Sequence, residues 1–136
     1  MPTENEWEQA VHRLIMLTQS GELKWQIHPQ TKSQRENVEG EVYVANVHGR
    51  SIAVYEYRFQ YYDEEPGTGS SGGWDTRSEV AIEFVDSSGV LQYRWPATPG
   101  RRPLLDAIQC AVSDADHFLK QLLGQPTAAS QSQPIS

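Results

Sequence analysis

The sequence predicts an α+β domain: a four-stranded antiparallel β-meander with an N-terminal and a C-terminal helix packed on one face. Three observations predict it. Apolar residues recur at helical spacing near both ends of the chain, period-two alternation fills the middle, and short glycine-bearing turns join the alternating runs.

The first helix starts at Thr3, whose hydroxyl suits a cap that Glu6 completes as a capping box. Trp7, Ala10, Val11, Leu14, Ile15 and Leu17 then form one apolar stripe, which stops near Ser20 and Gly21. Leu23, Trp25 and Ile27 alternate before Pro29, which suits a short extended segment, and residues 30–39 have so little to bury that they read as a loop. Two strands follow, 41–47 and 51–62, joined by His48, Gly49 and Arg50 as a tight hairpin. A third, 79–86, turns at Ser87, Ser88 and Gly89 into a fourth, 90–95. The closing helix begins near Pro103, carries Leu104, Leu105, Ile108, Ala111, Val112, Ala115, Leu119 and Leu122 on one face, and ends at Gly124. Residues 1–124 thus form a single domain, and the polar residues 125–136 read as a flexible tail.

Composition narrows the function classes. A chain of 136 residues is long enough for a real core. Its net charge of −7 argues against direct nucleic-acid binding and against an anionic membrane surface, because both reward basic stripes. The lone cysteine, Cys110, rules out an internal disulfide and reads as a small buried filler within the last helix. The N-terminal residues are acidic where a secretory signal is basic, so a cytoplasmic chain is the expectation.

The stretch EYRFQYYDEE raises the main functional question. Ala53, Tyr55, Tyr57, Phe59 and Tyr61 share one face of their strand, and Ile52, Val54, Glu56, Arg58 and Gln60 share the other. Since Glu56, Arg58 and Gln60 suit water, the aromatic row is expected under the helices with Val80, Ile82 and Phe84, and Glu83 is expected to be exposed. Where the strand outruns the helices, Tyr61 and Tyr62, rimmed by Asp63, Glu64 and Glu65, form a contact patch for a basic or apolar protein partner, with Trp74, Asp75, Arg58 and Glu56 as further candidates. The connection that follows holds a formal G-x-G-x-x-G, Gly67 to Gly72, but a strand rather than a helix comes after it and acids precede it, which speaks against a nucleotide.

No cofactor, metal or catalytic set is expected. His12, His28, His48 and His117 are scattered, Asp114 and His117 supply only two ligands, and no serine sits in a nucleophile elbow. The Trp25 segment, the AIEFVDSSGVLQYRWP hairpin and the RRPLLDAIQCAV helix together resemble small bacterial proteins of helix, β-meander, helix layout, which implies an accessory or interaction role. In size and charge the chain is also similar to acidic type III secretion chaperones, although the helix those chaperones place between their strands has no counterpart here. The expectation is a non-enzymatic protein-interaction domain of accessory, chaperone-like or immunity type, with a homodimer compatible. The alternative is a small-molecule binder or small enzyme with a pocket between sheet and helices, lined by Tyr55, Tyr57, Tyr93 and Trp95 and given polarity by Arg58 or His48.

Overall fold

The computed structural model describes residues 1–63 and 73–124. Its elements run α1 (Glu4–Gln19), β1 (Gln26–Ile27), α2 (Pro29–Ser33), β2 (Val38–Val47), β3 (Arg50–Asp63), β4 (Gly73–Val85), β5 (Leu91–Arg94), α3 (Arg101–Ser113) and α4 (Ala115–Leu122). The α+β layout with an antiparallel sheet and helices at both ends is therefore present. Among the described residues the sheet has five strands rather than four, in sequence order β1 to β5. The additional strand is the short extended segment before Pro29, where Gln26 and Ile27 pair with Val44 and Tyr43 of β2.

The capping box at Thr3 and Glu6 forms in both directions and sets the start of α1. Val11 and Leu14 of α1 and Leu104, Leu105 and Ile108 of α3 enter one cluster with Ile52 and Val54 of β3 and Val80 and Ile82 of β4. Both helices thus cover the same side of the sheet. Burying side chains of this size contributes roughly 1.5 to 3 kcal/mol each, so this cluster is the main source of cohesion. Trp25 closes its edge, donating its indole N–H to the buried Thr18 Oγ1 at 2.9 Å.

The aromatic row lies on the opposite side, which corrects the expectation from alternation. Pairing of Val54 with Ile82 and Tyr55 with Ala81 puts Val80, Ile82 and Phe84 on the side of Ile52 and Val54, and leaves Ala53 and Tyr55 facing away. Ala53, Tyr55, Val42, Ala81 and Val85 form a second, smaller cluster there. The physical reason is that Ile52 and Val54, not the tyrosines, meet the helices. Glu56 and its polar successors lie at and beyond the start of α3, where Glu56 pairs with Arg102 at 2.6 Å.

The second cluster has its own cover. Residues 30–39, expected to be a loop, contain α2, begun by Pro29 and capped by His28, whose Nδ1 accepts from the Thr31 amide. Thr31 is fully buried against the turn at Gly89. That turn is held by Asp86, whose carboxylate accepts from the amides of Ser88 and Val90 at 2.9 Å. The strand after α2 begins at Val38 rather than at residue 41. A bulge between Glu39 and Tyr43 then sends Tyr43 towards the helices and Val42 away from them.

The closing helix is not continuous. Asp114 takes a left-handed conformation at φ 56° and divides α3 from α4. Past this break Leu119 and Leu122, expected in the core, are exposed together with Phe118 and Leu123, because the apolar floor beneath α3 ends before α4 begins. Cys110 is likewise exposed rather than a buried filler. The tail 125–136 lies outside the described residues.

Replacing Gly89 with alanine combines a left-handed backbone (φ 83°) with a Cβ placed on Thr31 Oγ1. Gly89→Ala is expected to lower stability by about 2 to 4 kcal/mol, measured by urea denaturation. The same substitution at Gly49 has a similar φ of 78° but open space around it, and is expected to cost only about 1 to 2 kcal/mol.

Candidate functional site

On the side of the sheet away from α1 and α3, the rings of Tyr55, Tyr57, Phe59 and Tyr61 form a ladder with centroid spacings of 6.2, 5.8 and 6.4 Å. Acids of β4 accept from the tyrosine hydroxyls along it: Glu83 from Tyr55 at 2.7 Å, Glu79 from Tyr57 at 3.4 Å, and Asp75 from Tyr61 at 3.0 Å. The ladder passes from interior to surface along its length. Tyr55 is buried, and Tyr57, Phe59 and Tyr61 are half-buried.

Glu83 stands at the buried end with no exposed surface, contrary to the expectation that it meets water. Arg35, arriving from the segment after α2, donates to Oε1 through Nη2 at 2.9 Å and Nε at 3.2 Å. Arg94 of β5 donates to Oε2 at 2.9 and 3.2 Å and also reaches the Tyr55 hydroxyl at 3.0 Å. Burial first, then the hydrogen bond to Glu83 and the negative charge of that carboxylate, push the Tyr55 phenol up to about 12. Both oxygens of Glu83 are thus occupied by the protein's own donors, the arrangement of a structural ion-pair cluster. Neither the exposure of Arg94 nor the convergence of Arg35 shows in strand alternation, so Glu83 carries no sequence signal beyond being an acid between apolar neighbours.

The outer part of β3 and β4 is a two-stranded ribbon. β2 pairing ends at Val38 opposite Tyr57, and β5 pairing begins only at Glu83, so Phe59 to Asp63 and Gly73 to Arg77 pair with each other beyond the rest of the sheet. The candidate residues fall on both sides of this ribbon. On the helix side, beyond the start of α3, Tyr62 and Trp74 meet edge to face, with ring centroids 5.7 Å apart and exposures of 51% and 71%. On the ladder side, Tyr61 and Asp75 are joined by Arg77, whose guanidinium lies 4.5 Å from the Tyr61 ring and donates to its hydroxyl at 3.2 Å. Arg77 is a residue that the alternation pattern alone does not single out, and its pairing opposite Phe59 brings it in.

Arg58 and Glu56 sit at the ribbon's base and are both engaged. Arg58 forms an ion pair with Glu39 of β2. The Arg102 guanidinium, hydrogen-bonded to Glu56, holds that carboxyl below its usual range. Asp63 ends β3, and Glu64, Glu65 and the Gly67 to Gly72 motif lie outside the described residues. The structure therefore divides the expected single patch into two surfaces set back to back, Tyr62 with Trp74 and Tyr61 with Asp75.

The pocket between sheet and helices differs from its expected lining. A recess of about 440 Å³ opens between α1 and the β2–β3 turn, lined by Leu14, Ile52, Phe84 and Trp95, with Arg13, His48 and Arg50 at its margin. Tyr55 and Tyr57 face the other side of the sheet, and Arg58 lies at the base of the ribbon. Among the described residues no group of three histidine, cysteine or acidic side chains could hold a metal ion, and no helix is long and apolar enough to cross a membrane. Compared with family models, with curated proteins and with solved structures, the chain matches none.

Because the raised Tyr55 value keeps the folded chain protonated, its contribution to stability is complete below about pH 10 and is lost as pH rises towards 12. The loss is on the order of 2 kcal/mol. Urea denaturation across that range should show a shallower fall for Tyr55→Phe than for the parent chain. Glu83→Gln leaves two guanidiniums without their carboxylate, one of them, Arg35, with a side chain only 11% exposed. It should cost about 3 to 5 kcal/mol in the same measurement at neutral pH.

Proposed function

We propose that this chain is a non-enzymatic protein-interaction domain that receives its partner on the outer ribbon of β3 and β4. The observation that carries this reading is the Tyr62–Trp74 pair: two large aromatic side chains, held against each other and exposed, on strands that extend beyond both helices. Tyrosine and tryptophan dominate the binding energy of protein interfaces, and a pre-packed pair loses little conformational freedom on docking.

The backbone of the ribbon supports the same reading. The Arg58 amide points to Asn37, so the amides of Gln60 and Tyr62, two and four residues on, point to the same side, where β2 has ended. A notch beside Asn37, Val38 and Gln60 continues the line of β2. A partner strand added there would extend the sheet. On the other edge the Asp75 carboxylate accepts from the Thr76 amide at 2.8 Å, which blunts that side. Asp75, Glu79 and the acids that follow Tyr62 favour a partner with a basic or apolar surface. Accessory, chaperone-like or immunity-type service in the cytoplasm of a bacterium fits such a domain, and a second copy of the chain is one form the partner can take.

Trp74→Ala is expected to leave the melting temperature unchanged within about 2 °C, because the indole is largely exposed, and to weaken partner capture by tenfold or more, about 1.4 kcal/mol. Tagged parent and variant chains incubated with native extract, followed by mass spectrometry and light scattering at two concentrations, make the comparison. A parent chain that stays monomeric and captures nothing, or a variant that captures as well as the parent, overturns the reading.

A further inference from the structure

We infer that the recess between α1 and the β2–β3 turn is a binding site for a small anionic amphiphile, a carboxylate or sulfonate carried on an apolar body. This inference is independent of the interaction surface on the ribbon, which lies beyond the opposite end of β3.

The recess has an apolar floor and a cationic margin. Leu14, Ile52 and Trp95 form the floor, at 4%, 3% and 7% exposure, and Phe84 and Leu17 extend it as partly buried side chains of the same cluster. Its volume of about 440 Å³ lies within the range of small-molecule sites, roughly 300 to 1,000 Å³. Arg13, His48 and Arg50 stand at the margin, and no carboxylate lines it.

Charge complementarity identifies the occupant. Elsewhere in this acidic chain several basic side chains are neutralised by a carboxylate: Lys32 pairs with Glu41, Arg35 and Arg94 with Glu83, Arg58 with Glu39, and Arg102 with Glu56. Among the described residues Arg13 and Arg50 form no ion pair, although the chain carries an excess of seven acids. Arg50 is instead held with its guanidinium 4.3 Å from the Phe84 ring, at the edge of the recess. The turn that presents it is tight. His48 and Gly49 both take positive φ, 51° and 78°, and the Asn46 side chain accepts from the Gly49 amide at 3.2 Å. A ligand with its apolar body on Trp95 and Leu14 would place its acid group between two guanidiniums, the side chains best suited to grip a carboxylate or sulfonate in a fork. Within the floor, the Trp95 indole N–H is buried and has no hydrogen-bond acceptor.

The test uses octanoate and, as its uncharged counterpart, 1-octanol, titrated into the full chain and followed by calorimetry and by the indole N–H resonances. Octanoate is expected to bind saturably, to shift the Trp95 resonance, and to bind at least about tenfold more tightly than octanol. The Arg13→Gln, Arg50→Gln double variant is expected to lose that preference while its octanol affinity stays within about twofold. Raising the sodium chloride concentration on the parent chain should weaken octanoate and leave octanol unchanged, a readout that holds even if the double variant is unstable. A Trp95 resonance that does not move, equal affinity for the two compounds, or octanoate binding that ignores salt would each overturn the inference.

Discussion

A carboxylate shut away from water in the middle of a sheet obliges the protein to bring positive charge to it, and Glu83 does so from two directions. Arg35 comes from the segment that follows α2 and Arg94 from β5, while the Tyr55 hydroxyl approaches from the neighbouring strand. These four residues lie far apart in the chain, so their meeting fixes how β3, β4, β5 and the α2 segment sit together. Such a cluster adds little net stability over a well-packed apolar substitute, yet it penalises every arrangement in which the carboxylate loses its partners. A slip of β4 by one residue would turn Glu83 into the leucines of α3 and expel Ile82 and Phe84. The ion pairs therefore act on register more than on total stability.

The sheet is consequently buried on both sides at one end and bare on both at the other. Helices α1 and α3 cover one side near Ile52 and Val54, and the smaller lid of α2 and the Gly89 turn covers the other near Tyr55. Neither cover extends to Phe59 and Arg77, and the strands continue without them. The two places proposed for binding, the aromatic ribbon and the cationic recess, sit at opposite ends of this gradient. Each lies where a covering element stops.

Much of this was legible in the sequence where local chemistry decides the outcome. The capping box at Thr3 and Glu6, the turns at Gly49 and Gly89, and the apolar stripe of α1 follow from side chains a few residues apart. The assignment of faces was not legible, because Tyr55 and Val54 are both buried and period-two alternation cannot say which of two apolar sides meets a helix. Buried Glu83 was hidden for the same reason, since its partners at positions 35 and 94 lie far from it in sequence. The break at Asp114 does not show in the sequence because the apolar spacing continues straight through it into α4, although no apolar floor remains there to receive it. For the candidate site, the aromatic residues themselves could be picked out, but their division between two sides of a ribbon required the pairing of Tyr62 with Trp74 and Tyr61 with Asp75.

Among the described residues the ribbon's backbone pairing runs from one strand to the other with no third strand beside it, so unzipping from its outer end towards Tyr57 disturbs neither buried cluster. Fraying there is uncoupled from global unfolding. The molecule can consequently exchange amide protons or lose its outermost pairs at small cost, while the half of the sheet around Glu83 keeps its order.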